Sequence, residues 1–370
     1  MKKFLKIFFL ISIFLLTGCG AKNADNALEK LDKKLKNADS YYLEGIMEIM
    51  NNEDTYTYDV KVSYKKTDYY KIELMNTLNN HEQVILRNDD GVYVVTPSLN
   101  KSFKFQSDWP YNNSQVYLLN SILDDLKEDE TREFREDGEN IIFKSNVHYP
   151  NNKALEKQKV YMNKELKIEK VEVVDKDDNI QIVMQFKKIE YNKKFDKNYF
   201  ELNQILDIKE ESLKQNNQNS NNEEENSNEE NTTNETNETS DNTNSTTQDT
   251  IETKPTATID DIIYPMYLPN NTYLTSQEII DTDAGERLIL TFGGDSSFIL
   301  VEETVKRSDE GVIIPVTGEF DFLADVIGVI GPNSLSWHSN GIDYYIASDT
   351  IPTLELVEIA NSVSVLPVSK

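Results

Sequence analysis

The sequence predicts an α+β protein: an N-terminal antiparallel sheet with covering helices, a disordered linker and a small C-terminal α+β unit. Three observations lead there. Most of residues 41–202 and 278–347 fall into short runs that alternate apolar and polar residues, rich in Tyr, Val and Ile, the period-2 pattern of strands. A few segments instead repeat apolar residues every three or four positions, as amphipathic helices do. Between the two patterned regions, residues 209–258 are Asn, Glu, Ser and Thr with almost no apolar side chain. Such a stretch cannot bury enough surface to offset the entropy of ordering.

In chain order, the first element is an export signal. Lys2, Lys3 and Lys6 make a basic start, and Phe4 to Leu16 is almost entirely Phe, Leu and Ile. That apolar run is too short for a comfortable membrane span and fits a signal peptide over residues 1–18. Leu16-Thr17-Gly18-Cys19 follows and resembles the lipobox of bacterial lipoproteins. The resemblance implies cleavage before Cys19 and transfer of a diacylglyceryl group to its thiol, with residues 19–23 as the lipidated N-terminus. Cys19 is the single cysteine of the chain, so no other thiol can serve and no intramolecular disulfide can form. The competing readings are an ordinary cleaved signal with an accidental cysteine and an uncleaved anchor.

Ala24, Ala27, Leu28, Leu31 and Leu35 predict a helix over 24–37. Strands are expected over 42–50, 56–65, 69–75, 81–87, 92–96 and 101–106, with Asp90-Gly91 as a hairpin turn. Trp109-Pro110 breaks the sheet. A second helix is expected over 115–126, capped by Asn113 or Ser114, followed by strands at 140–147, 157–162, 168–175 and 181–191. Residues 195–202 close this first unit, 24–208. The linker, roughly 50 residues of flexible coil, has a root-mean-square span of about 40 Å. It leaves the relative orientation of the two units free. In the second unit, 259–370, strands are expected over 278–282, 287–292, 298–305, 312–317, 319–327, 335–338 and 343–347. A terminal helix starts near Thr350 and Pro352.

The formal charge is −27, and removal of residues 1–18, which carry three lysines and no acid, lowers it to −30. A chain of that charge is repelled by DNA, RNA and anionic headgroups, so nucleic acid is excluded as a partner and acyl chains must hold the protein at a membrane. Heavy use of Asn, Lys, Ile and Tyr hints at an AT-rich, Gram-positive source.

The order of elements over 24–202 resembles the fold shared by LolA, LolB and RseB. The carriers are the Leu28-x-x-Leu31 helix running into Ser40-Tyr41-Tyr42-Leu43, the strand–Asp90-Gly91–strand hairpin with Tyr93, and the Pro-bearing break before a second helix. That family implies a sheet curled into a half-barrel around its helices. Joined to a lipobox, the pattern is similar to Gram-positive sporulation and germination lipoproteins related to GerS. The stretch Trp337 to Ile346 with Leu354 to Val363 is similar to a C-terminal domain of unknown function found on sporulation lipoproteins.

No catalytic set emerges. His81, His148 and His338 are far apart, and neither a metalloprotease helix motif nor a nucleophile elbow is present. Asp175, Asp177, Asp178 and Asn179 offer oxygen ligands, but the glycine and distal glutamate of a calcium loop are missing, so a solvated hairpin is expected. Gly293-Gly294-Asp295 joins two expected strands and reads as a turn, since a phosphate loop opens a helix. Tyr56, Tyr58, Tyr64, Tyr69, Tyr70 and Tyr93 line either a groove or, more simply, the buried face of a sheet. The expectation is a non-enzymatic envelope lipoprotein without cofactor or metal. It sits at the outer face of the cell membrane and binds a protein partner, with lipid carriage in the half-barrel as the alternative.

Overall fold

A computed structural model describes residues 18–51, 54–208, 258–259, 261–283, 285–323 and 325–363, with only the backbone for 18–22. The expected signal segment up to Thr17 and all of the expected linker except Thr258 lie outside the described residues.

Helix α1 (Gly18–Asn37) starts six residues earlier than expected and carries the backbone of Cys19. Its buried stripe is the one read from the sequence, Ala24, Ala27, Leu28, Leu31 and Leu35. Strands β1 (Ser40–Asn51), β2 (Asp54–Lys65), β3 (Tyr69–Asn76), β4 (Glu82–Asn88), β5 (Gly91–Thr96) and β6 (Lys101–Phe105) form a meander. Helix α2 (Leu119–Glu128) follows, then β7 (Glu133–Asp137), β8 (Asn140–Asn146), β9 (Lys157–Asn163), β10 (Ile168–Val174) and β11 (Ile180–Tyr191). The antiparallel pairing of β1 with β11 joins the two halves into one sheet. Helix, meander, Pro-bearing break, helix and second meander are thus the order that the resemblance implied.

Both helices pack on one face of this sheet. Leu119, Ile122, Leu123 and Leu126 of α2 join the α1 stripe and sheet residues Tyr41, Leu43, Met47, Val60, Val62, Ile72, Val171 and Met184 in a single core. At about 1.5–3 kcal/mol for each large apolar side chain buried, this face is the main source of stability. Tyr56, Tyr58, Tyr64 and Tyr70 belong to the same core, so these four are sheet interior and not an open groove, while Tyr69 packs half-buried on the opposite face. Tyr93 belongs to a small cluster with Val84, Leu86, Val95, Phe200, Leu202 and Leu206. There the chain after β11 crosses the opposite face. Residues 195–202 close the first unit by laying their aromatic residues over β4 and β5, whose runs are apolar on both faces for that reason. The expected cap of α2 also differs. Its N-cap residue is Leu118, and Ser114 instead donates to Asp125 (2.9 Å) and accepts from His148 N–H (2.8 Å). Strand β7 escapes sequence reading because Glu133, Arg135, Glu136 and Asp137 have no strand propensity; hairpin pairing with β8 alone makes it a strand.

The second part contains β12 (Thr272–Thr282), β13 (Gly285–Gly294), β14 (Phe298–Thr304), β15 (Val312–Val316), β16 (Glu319–Leu323), β17 (Val326–Ile330), β18 (Ser334–Ser339), β19 (Ile342–Ala347) and helix α3 (Thr353–Asn361). Seven of these strands form a sheet in the order β12-β13-β14-β19-β18-β17-β16. The expected single strand over 319–327 is instead a hairpin, β16 and β17. Gly294 at the β13–β14 turn has a φ of 130°, and a Cβ there would lie 1.9 Å from the Asn271 carbonyl oxygen. The Gly-Gly-Asp stretch is thus a turn, with no helix behind it.

Strand β15 does not join its neighbours. It pairs in parallel with β6 and becomes the twelfth strand of the N-terminal sheet, in the order β15-β6-β5-β4-β3-β2-β1-β11-β10-β9-β8-β7. The expectation of two freely oriented units is therefore corrected: the second lobe is built onto the first.

Candidate functional site at the seam between the lobes

The seam begins at Asn100, a fully buried residue in left-handed conformation after β5. Its side chain accepts from Asp207 N–H (2.9 Å) and donates to the Ser308 carbonyl (3.2 Å), while its own carbonyl accepts from Val312 N–H (2.9 Å). Gly311 N–H donates to the Asp207 carbonyl (2.7 Å), and a Cβ on Gly311 would press to 2.6 Å against Ile208. One asparagine thus ties together three distant chain segments and sets the register of β15. Arg307 adds an exposed ion pair with Asp207 (2.8 Å).

Beyond β15 the chain turns inward. Phe320 on β16 packs against Phe105 and Trp109, with ring centroids 5.0 and 5.8 Å away. Phe322 meets Tyr58 at 5.7 Å. With Ile327 and Val329 of β17 they complete the N-terminal core. Gln83 of β4 exchanges two hydrogen bonds with the backbone of Ile327, donating at 2.8 Å and accepting at 2.6 Å, so a side chain imitates a strand partner. Glu319 accepts from Ser107 and Asn112, each at 2.7 Å.

A polar cluster lies on the same seam. Two of the three histidines meet there: His81 and His338 have ring centroids 5.6 Å apart. His338 Nδ1 lies 2.8 Å from Asp343, whose other oxygen accepts from Lys101 (2.9 Å). Burial, and secondarily the nearby His338, push His81 down to about 4, so it is neutral at physiological pH. Burial alone would raise Asp343, but the His338 hydrogen bond and the Lys101 charge outweigh it and hold its carboxyl below the usual range. Asp325 accepts from Asn79 (3.1 Å) and Ser339 (3.1 Å), and burial raises it. The sequence could not reveal the histidine pair, because 257 positions separate residues that only docking of the lobes brings together. His148 stays apart, at the Ser114 turn.

Between the lobes a cavity of about 100 Å³ remains, lined by Met47, Tyr117, Tyr149, Asp321, Phe322 and Ile327 among others. Burial raises Asp321 there to about 6, opposed by hydrogen bonds from Phe322 N–H (2.8 Å) and Asn151 (3.3 Å). This volume matches about three waters at ~30 Å³ each. Ligand sites typically occupy ~300–1,000 Å³. Three larger depressions, of about 460 to 530 Å³, are open to solvent.

The other singled-out residues do not converge. Asp175 accepts from Asp177 N–H, Asn179 N–H and the Asn179 amide, all at 2.9 Å, as in a self-contained turn. The described residues hold no group of three or more His, Cys, Asp or Glu arranged to hold a metal ion. None of their helices is long and apolar enough to cross a membrane. Nothing is described of the Cys19 side chain.

Fold and seam together define a two-lobed α+β protein whose polar groups at the junction are used to lock the lobes. The chain belongs to the YdcC-like sporulation proteins. The family described as "Sporulation protein YdcC-like" matches residues 1–200. The sporulation protein YdcC of Bacillus subtilis (strain 168) is 32% identical over 354 residues, covering 95% of this chain and 94% of that protein. Among solved structures, a chain of the Pseudomonas aeruginosa MucA/MucB complex aligns over 92% of this chain and 97% of its own, at 11% identity and a TM-score of 0.30. A chain of the complex between the CwlD amidase of Clostridioides difficile and the GerS lipoprotein aligns over 45% and 95%, at 20% identity and a TM-score of 0.29.

Proposed function

We propose that this sporulation-family protein is a non-enzymatic binding or regulatory module of the cell envelope, tethered to the outer face of the membrane through diacylglyceryl-Cys19. The observation that carries the reading is the filled interior. Helices α1 and α2 occupy the apolar face of the large sheet, Phe320 and Phe322 close its mouth, and only about 100 Å³ is left. That space is too small for an acyl chain, which favours recognition of a protein partner on outer surfaces over lipid carriage. At the seam, Asp325 is engaged by Asn79 and Ser339, Asp343 by His338 and Lys101, and His81 packs against the His338 ring. The anchor reading rests on the apolar run and Leu16-Thr17-Gly18-Cys19. Helix α1 starts at Gly18, so a lipid on Cys19 would hold the large sheet directly at the membrane surface.

Two measurements test this. Labelled palmitate should enter the wild-type protein and be absent from Cys19→Ala; equal labelling of both would remove the anchor. Mass spectrometry of the purified protein with its N-terminal lipid excluded should find no stoichiometric lipid. One bound lipid per chain would overturn partner binding in favour of carriage.

A further inference from the structure

Sheets that end in water normally disable their edges with charge, proline or short length, because an edge strand offers unpaired N–H and C=O groups to any passing chain. Three of the four sheet edges here follow that rule. β7 carries Glu133, Arg135, Glu136 and Asp137. β15 is five residues long and contains Pro315. β16 is also short, and its Phe320 and Phe322 pack into the large lobe. The fourth edge, β12, differs in degree: it is eleven residues long, has neither proline nor lysine nor arginine, and carries only two acids and one register shift, between Leu274 and Ser276. Tyr273, Leu274, Ile279 and Ile280 on it are 61%, 39%, 57% and 43% exposed. The apolar surface continues inward from the edge. Across β12, β13, β14 and β19 the register aligns Glu278, Ile289, Val301 and Tyr345, and beside them Ser276, Thr291, Ile299 and Ala347. Ile299 and Tyr345 are themselves exposed.

Charge selects the occupant. Residues 258–305 contain nine acids and one base, Arg287. Arg287 is already held by Glu303 at 2.8 to 3.0 Å. Glu278 and Asp281 sit on the edge strand itself. A second copy of the chain would set these acids against their own kind, with a formal charge of −27 on each molecule. We infer that β12 is a docking edge for an extended segment of a partner protein, in which apolar residues alternate with lysine or arginine, and which adds to the small sheet as an eighth strand. Backbone hydrogen bonds supply affinity in this mode, and side chains flanking the edge supply specificity. Successive side chains of β12 alternate faces, so the apolar side chains of the incoming strand lie on the Ile280 side with the Ile299–Tyr345 surface, and its cations lie on the opposite side beside Ile279 and Asp281. The inference deepens the binding-module reading and rests on it.

The test uses the full-length chain in detergent and a peptide of alternating valine and lysine matched to β12 in length. Controls are the same pattern with glutamate for lysine and the lysine peptide broken by a central proline. The lysine peptide should slow amide exchange selectively at 272–282, bind about tenfold or more tighter than either control, and weaken with salt. Ile279→Lys and Ile280→Lys, each at an exposed position, should weaken binding about tenfold while leaving the melting temperature unchanged. The wild-type peptide comparison decides the matter even if a variant folds poorly. No protection of β12, or equal protection by the glutamate peptide, overturns the proposal. Protection that grows with protein concentration without peptide also overturns it, since a second copy would then hold the edge. Should a defined envelope partner cross-link equally to wild type and Ile279→Lys, the edge assignment falls while the binding-module reading stands.

Discussion

The two lobes depend on each other unequally. The core of the small sheet is self-contained: every residue in it, from Leu288 to Val363, comes from the second lobe. The core of the large sheet is not, because Phe320, Ile327 and Val329 reach into it from the second lobe. The eleven N-terminal strands and their two helices leave part of the apolar face uncovered, and the second lobe supplies the rest. The polar linkage follows the same pattern, with Gln83, Asn79 and Lys101 of the large lobe all bonded to residues of the small one. A long connection in sequence is therefore compatible with a fixed junction in space.

Removal of the aromatic plug should separate the two lobes most clearly. Phe320→Ala should destabilise the protein by about 3–5 kcal/mol, the usual loss for a buried phenylalanine. The chain has two tryptophans, Trp109 beside Phe320 and Trp337 stacked on Tyr344 in the small lobe, so each lobe has its own reporter. Replacing one tryptophan at a time with Phe isolates the other signal in denaturant unfolding. In the Phe320→Ala background the Trp109 transition should move to lower denaturant and the Trp337 transition should move less. Equal shifts of the two would mean that the lobes form one cooperative unit, and no shift of either would remove the plug from the account.

Gln83→Ala should have the next largest effect. It leaves the Ile327 N–H and C=O buried without partners, at a cost of about 1–3 kcal/mol. Gln83→Glu sets a buried carboxylate against the Ile327 carbonyl, so near neutral pH it should destabilise at least as much as alanine in thermal melts. If alanine is neutral, the seam is held by apolar packing alone.

A smaller effect is expected from pH. His81 has its pKa depressed to about 4 in the folded protein against 6.5 when exposed. In that window the unfolded chain binds the extra proton, so the contribution of His81 is complete above about 6.5 and is lost as pH falls towards 4. Asp321 and Glu302, raised by burial to about 6 and 7, act oppositely, and their neutral forms favour the fold less as pH rises towards those values. The difference between wild type and His81→Gln isolates the histidine. Wild type should lose on the order of 1–2 kcal/mol relative to the variant between pH 7 and pH 4.5, after allowance for partial solvent screening. Parallel stability curves for the two proteins would exclude His81 as the source.

The smallest effect belongs to Arg307→Ala. Its partner Asp207 is well exposed, and such pairs contribute about 0–1 kcal/mol. A melting temperature within a degree or two of wild type is expected, with the β15–β6 pairing intact by amide exchange. A large loss would show that β15 is held by Arg307 and not by Asn100 and the strand ladder.

Much of the local structure was legible because it follows from periodicity. The α1 stripe, the α2 stripe and the alternation in β1, β2, β3 and β9 each bury one face against a core, and a one-sided environment leaves a period in the sequence. Boundaries were less legible. Ser114 looks like a cap because it is a short hydroxyl before an apolar run, yet Asp125 and His148 use it instead. β7 was invisible because only Phe134 of its five side chains packs inward, against Phe143, which leaves no period to read.

What the sequence by itself determined is the class of structure, the division into two patterned regions by an apolar-free stretch, and Cys19 as the sole thiol. These depend on composition and on contacts between near neighbours. Docking of the lobes brings β15 to β6, lets Phe320 complete a core begun about three hundred residues earlier and sets His81 against His338, and among the described residues β12 is paired on one side only. Each of these depends on which surfaces remain uncovered once local elements have formed. That quantity belongs to the assembled chain, since no residue's neighbours in sequence record what will finally pack against it.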